Sequence, residues 1–141
     1  MSVKQISIFI ENKKGSLAEV TKFIAESKIN LRALSIADTQ EFGILRIITD
    51  DPNNARDVLK NEGYAVTATS VLAVALDDTP GSMAAILEVL CEANVSVEYT
   101  YAFMSNVKDK AYMIFRVDNN DKATEALTVA GISVINQRDI F

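Results

Sequence analysis

Polar and apolar residues alternate from Val3 to Ile10, with Ile6, Ile8 and Ile10 on one face and Gln5, Ser7 and Phe9 on the other. That two-residue period predicts a strand. From Ser16 to about Lys28 the period lengthens: Leu17, Val20 and Ile24 recur at helical spacing and Phe23 widens the stripe. Ser16 and Glu19 have the spacing of a capping box at the start of this helix. Asn30 to Ala37 and Gly43 to Thr49 read as two strands joined by the polar turn Asp38 to Glu41. Pro52 suits the opening of a second helix running to Glu62, with Ala55, Val58 and Leu59 on its inner face. Gly63 ends that helix, and Tyr64 to Thr69 forms a fourth strand.

The chain then repeats itself. Gly15-Ser16-Leu17-Ala18 returns as Gly81-Ser82-Met83-Ala84, an offset of 66 residues (81 − 15). After a two-residue insertion the echo continues at an offset of 68 (131 − 63), through Asp50/Asp118, Ala55/Ala123, Leu59/Leu127 and Gly63/Gly131. The second copy gives Val71 to Leu76, Ser82 to Ala93, Val97 to Phe103, Tyr112 to Val117, Asp121 to Ala130 and Ser133 to Asn136. A repeat of this kind sets the architecture. The expectation is an α+β chain of two tandem ferredoxin-like βαββαβ units, residues 1–69 and 70–141. In each, two helices cover one face of a four-stranded antiparallel sheet, and the two sheets lie side by side with no linker between.

A lone unit of about 70 residues buries only about 60% of its unfolded surface, so each unit needs a neighbour. Val71, Ala73 and Ala75 make the second copy's first strand apolar on its helix-free face as well. A strand apolar on both faces is covered on both. A homodimer packed through this face is therefore expected.

Composition narrows the function. Hydrophobic residues make up 49% without low-complexity tracts, so the chain is globular. Fourteen basic and nineteen acidic residues give a net charge of −5, which repels phosphate backbones. Neither third strand carries the basic-glycine-aromatic pattern of RNA binding. The chain has no histidine and a single cysteine, Cys91, which removes the commonest catalytic base and any cysteine-based metal cluster. No metal, cofactor or nucleic acid is expected, and no enzymatic chemistry. The absence of a signal pattern and of a membrane-length apolar run predicts a cytoplasmic protein.

Individual side chains carry smaller expectations. Cys91 stands next to the core stripe of the third helix and is expected to be buried; Met83 and Met104 read as packing residues. Tyr99 and Tyr101 share a strand face, as a contact between units or a surface on which a ligand stacks. Glu98 points the other way as an exposed charge, one that would favour an amine-bearing ligand beside it. Arg46 and Arg116 are edge charges or ion-pair partners.

The candidate chemistry lies in two turns, Glu11-Asn12-Lys13-Lys14-Gly15-Ser16 and Asp77-Asp78-Thr79-Pro80-Gly81-Ser82. Each joins an apolar strand to an apolar-striped helix. Glycine admits backbone conformations closed to other residues and lets a ligand approach. The first helical amides lack partners within the helix, and the dipole favours an anion there. A carboxylate would sit near Gly15-Ser16-Leu17 or Gly81-Ser82-Met83, while Asn12 or Asp78 accepts from an ammonium. That arrangement suits a zwitterion. A glycine turn between strand and helix also forms without any ligand. An acylphosphatase-like enzyme would need an arginine in such a turn, and neither turn has one.

With Ser27-Lys28-Ile29-Asn30-Leu31 and Ala93-Asn94-Val95-Ser96-Val97 following them, these two turns resemble the openings of ACT domains, over essentially the whole chain. The resemblance implies a stand-alone sensor of a free amino acid that acts through a partner enzyme. It places the ligand where two units meet, between the glycine turn of one and the second strand of its neighbour. By position this implies Asn12, Lys14, Gly15, Ser16 and Leu17 in the first unit and Asp78, Pro80, Gly81, Ser82 and Met83 in the second. From the second strands it implies Arg32 and Ala33, or Glu98, Tyr99 and Thr100. Lys14 departs from the proline kept at Pro80, so the two turns are expected to differ in affinity, or only one of them to bind. The competing reading is an assembly subunit similar to the small subunit of acetolactate synthase.

Overall fold

The computed structural model describes residues 2–38, 41–103 and 108–140. Met104 and the middle of the 38–41 turn lie outside them. By internal contacts the chain divides into Lys4–Thr69 and a unit of Ser70–Phe141 with Met1–Val3.

The first unit runs β1 (Val3–Glu11), α1 (Ser16–Glu26), β2 (Leu31–Asp38), β3 (Phe42–Thr49), α2 (Pro52–Asn61) and the first part of β4 (Ala65–Asp77). Its strand order is β2-β3-β1-β4. The antiparallel register sets Ile8 opposite Leu45 and Leu45 opposite Ile36. Side chains facing the helices build the core, in which Ile6, Ile8, Val20, Ile24, Leu45, Ile47, Ala55 and Leu59 are buried. Burial of this kind contributes about 25 cal/mol per Å² of apolar surface removed from water.

The second unit uses the rest of β4, then α3 (Ser82–Glu92), β5 (Val97–Phe103), β6 (Lys110–Val117), α4 (Asn120–Val129) and β7 (Ser133–Ile135). Strand β4 pairs with β6 and β7, and β6 pairs with β5, all antiparallel. Leu72, Val74, Ile86, Leu90, Phe115, Val117, Ala123 and Leu127 form its core, largely the positions equivalent to those of the first. The βαββαβ order is therefore present twice. The expected fourth and fifth strands are one strand, because no turn residue interrupts Ala65–Asp77.

Several expectations change. The capping box does not form: Gly15 itself is the N-cap of α1, at φ 89°, and no side chain caps the helix. Cys91 is exposed. The buried positions of α3 are Ile86 and Leu90, and one further residue turns the thiol away from the core. Val71 and Ala73, on the helix-free face, are buried. The polar residues expected on that face of β1 are also buried: Gln5 is 0% exposed and its Nε2 donates to Ser7 Oγ at 3.1 Å. Glu98 is exposed, as expected, and pairs with Arg116 at 3.3 Å beside a register shift between Val97 and Tyr99.

Candidate functional site

The two glycine turns have the same construction. Gly15 and Gly81 open α1 and α3 at φ 89° and 92°, in the left-handed region that other residues enter only at a cost. The backbone N–H of Ser16 donates to Lys13 O at 3.2 Å, and that of Ser82 to Thr79 O at 3.3 Å. Glu19 N donates to Gly15 O at 2.9 Å and Ala85 N to Gly81 O at 3.0 Å. The second and third amides of each helix, those of Leu17 and Ala18 and of Met83 and Ala84, are left as the donors at its positive end. The base of each turn is tied to the neighbouring strand's hairpin, through Asn12 N to Glu41 O and Asp78 N to Asp109 O. In the second turn Thr79 Oγ1 and Ser82 Oγ are also hydrogen-bonded, at 2.9 Å.

Beside each turn the unit has a cleft. The first, about 360 Å³, lies between the end of β1 (Phe9, Ile10, Glu11), the first turn of α1 (Ser16, Glu19) and the exit from α2 (Gly63, Tyr64, Ala65), with Lys13 at its side. The second, about 220 Å³, lies between Ala75, Leu76 and Asp77, then Ser82, Ala85 and Ile86, then Gly131, Ile132 and Ser133, with Lys110 at its side. Position for position, the repeat has made one cleft twice. Each has a carboxylate–ammonium pair, but from different parts of the chain. Glu11 pairs with Lys13 of the turn at 3.0 Å; Asp77, at the equivalent position, pairs with Lys110 of β6 at 2.5 Å.

Charge in the first cleft acts on its neighbours. The Lys13 ammonium is held above its ordinary value by its hydrogen bond to Glu11, by the Glu11 charge and more weakly by Glu19. Burial pushes the Tyr64 phenol up, and the charges of Glu19 and Glu62 add to that.

Of the predicted residues, Ser16 and Ser82 line the clefts. Asn12, Lys14, Gly15, Asp78, Pro80 and Gly81 belong to the turns at their edge, Leu17 and Met83 to the first turns of α1 and α3, and Met83 packs partly on the core. The second-strand residues line neither cleft. Arg32 lies at a register shift in β2, Ala33 is buried, Tyr99 stacks on Tyr101 with centroids 6.4 Å apart, and Thr100 Oγ1 donates to Ile114 O at 2.8 Å. The exits from α2 and α4 were missed as site elements. Their signal was in the repeat, which returns Gly63 as Gly131, but it reads equally as a helix stop; the structure gives them φ 101° and 78°.

The model of one protein family, the ACT domain pair, matches residues 1–141. The chain belongs to this family. ACT domains are regulatory modules, and the βαββαβ pair seen here is their fold. A Bacteroides thetaiotaomicron protein of known crystal structure is similar over 99% of this chain and 96% of its own, at 40% identity and a TM-score of 0.92. The ligand-free regulatory subunit of aspartate kinase from Thermus thermophilus is similar in fold, with a TM-score of 0.63 at 16% identity over 90% of this ACT domain pair and 91% of that chain. The corresponding subunit from Thermus flavus gives 0.58 at 16% identity over 91% and 92%. No curated protein matches the sequence. Among the described residues, no helix is long and apolar enough to cross a membrane, and no group of three or more His, Cys, Asp or Glu is placed to hold a metal ion.

Proposed function

We propose that this ACT domain pair is an amino-acid sensor that regulates a partner enzyme. One observation carries the reading: both copies of the repeat keep a cleft beside the glycine turn, lined by the first residue of the helix, a carboxylate and an ammonium around an apolar wall. A free amino acid presents the matching groups. Its carboxylate would sit on the amides of Leu17 and Ala18, or of Met83 and Ala84, with Lys13 or Lys110 beside it. Its ammonium would be held by Glu11 or Asp77, supported by Asn12 or Asp78. Gly15 and Gly81 let the ligand approach, Lys14 and Pro80 shape the turns, and Ser16 and Ser82 offer hydroxyls. In a homodimer, a second copy would bring the start of its β2 or β5 to the turn, with Arg32 and the backbone of Ala33, or Glu98, Tyr99 and Thr100. The cytoplasm, where free amino acids and biosynthetic enzymes meet, is the compartment this role requires.

Ligand binding shifts a regulatory equilibrium only by its difference in affinity between the two states, so the sensor needs a partner that favours one of them. The test is a thermal-shift screen of the chain against the twenty amino acids at millimolar concentration. A ligand at one hundred times its Kd stabilises the fold by about 2.7 kcal/mol, a rise of several degrees in Tm. A selective rise is expected. A flat response from a folded protein across the whole panel would overturn the sensor reading.

A further inference from the structure

The two clefts occupy equivalent places but have different walls. In the second, Ala85 stands on the first turn of α3, and Leu76, Ile86 and Ile132 make the surface around it apolar. The equivalent position in the first, Glu19, carries a carboxylate, and Tyr64 replaces Ile132. The charges do not balance in the same way. Asp77 is matched by Lys110 and Glu11 by Lys13. Glu19 has no ion pair within 4.0 Å among the described residues, so the first cleft holds one negative charge in excess. That cleft is also the larger, at about 360 against 220 Å³.

We infer that the clefts take different amino acids: a long cationic side chain in the first, an aliphatic one in the second, with Glu19 and Ala85 deciding between them. The inference rests on the sensor reading above. A zwitterion entering the first cleft uses the Glu11–Lys13 pair for its own two charges, and a cation at the end of its side chain then meets Glu19. The same ligand in the second cleft would bring its cation against Ala85, Leu76 and Ile132 with no carboxylate to receive it, and burying an unpaired charge is costly. An aliphatic side chain fits that wall and gains from leaving water. In the first cleft it would desolvate Glu19 without compensation.

The experiment is isothermal titration of the full chain with L-lysine and L-isoleucine, alone and together, in the parent and in Glu19→Ala and Ala85→Glu. Both substitutions fall on exposed helix positions and leave the cores intact. The parent should bind both amino acids without competition. Glu19→Ala should weaken lysine by about tenfold or more, the loss expected for one charge-assisted hydrogen bond, and leave the isoleucine affinity of the second cleft unchanged. Ala85→Glu should weaken isoleucine and leave the lysine affinity of the first cleft unchanged. The inference is overturned if lysine and isoleucine compete for one site, or if Glu19→Ala binds lysine like the parent. It is also overturned if neither binds while another of the twenty amino acids does. If none of the twenty binds, the sensor reading falls with it.

Discussion

Gly15 and Gly81 are where single residues matter most. A Cβ built on either meets nothing within 4 Å, so no neighbour would resist a side chain there. The obstacle is the backbone itself, held at φ 89° and 92°. For Gly15→Ala and Gly81→Ala the expected loss of stability is about 1–2 kcal/mol each, the cost of a left-handed conformation in an L-residue. Urea denaturation of the two variants measures it. Midpoints equal to the parent's would mean that the turn relaxes to negative φ and that glycine is there only for a ligand. The same scale shows why a side chain can mislead. Cys91 is one position away from Leu90, and on a helix one position is a rotation of about 100°, enough to separate buried from exposed.

Helices of the two kinds in this fold start differently. Asp51 Oδ1 accepts from Asn54 N at 3.1 Å at the start of α2, and Asn119 Oδ1 from Lys122 N at 3.0 Å at the start of α4. Helices α1 and α3 start at glycines with no side-chain cap. Removing a side-chain cap costs about 1 kcal/mol. Asp51→Ala and Asn119→Ala should each lose that amount in urea denaturation, whereas Ser16→Ala should lose far less. An equal loss in Ser16→Ala would restore the capping box the sequence spelled out. Element types and order were legible because the periods of β1, α1 and their counterparts are strong and recur at a fixed offset. The caps were not, because Gly-Ser followed by Glu19 fits a helix starting at either residue, and only the φ of Gly15 decides. The clefts were half legible. Their glycine turns are contiguous in the chain, while the third wall, at Gly63 to Ala65 or Gly131 to Ser133, comes from a helix exit that only the folded unit brings near.

At the scale of the whole molecule, the missing histidines set how the protein responds to pH. With none in the sequence, no side chain of ordinary pKa changes charge between about pH 6 and 8. On the sensor reading proposed above, ligand binding would vary little with physiological acidity. The groups with shifted values lie at the alkaline end. Lys13 is raised above 10.5 by its pairing with Glu11, and Tyr64 above 10.0 chiefly by burial. In both cases the fold favours the protonated form. The stability they contribute is therefore complete below the unfolded-state value and is lost as pH rises through the folded one. Lys13 is exposed and screened by solvent, so the part it adds is small. Tyr64, half-buried in the wall of the first cleft, should dominate. The urea midpoint is expected to stay flat from about pH 6 to 8 and to fall above about pH 10, and Tyr64→Phe should flatten that fall. A midpoint that moved across the neutral range would point to the α-amino group or to a side chain whose pKa the fold brings into it. An alkaline fall unchanged in Tyr64→Phe would put the loss on the lysines instead, and with it the charge balance proposed for the first cleft.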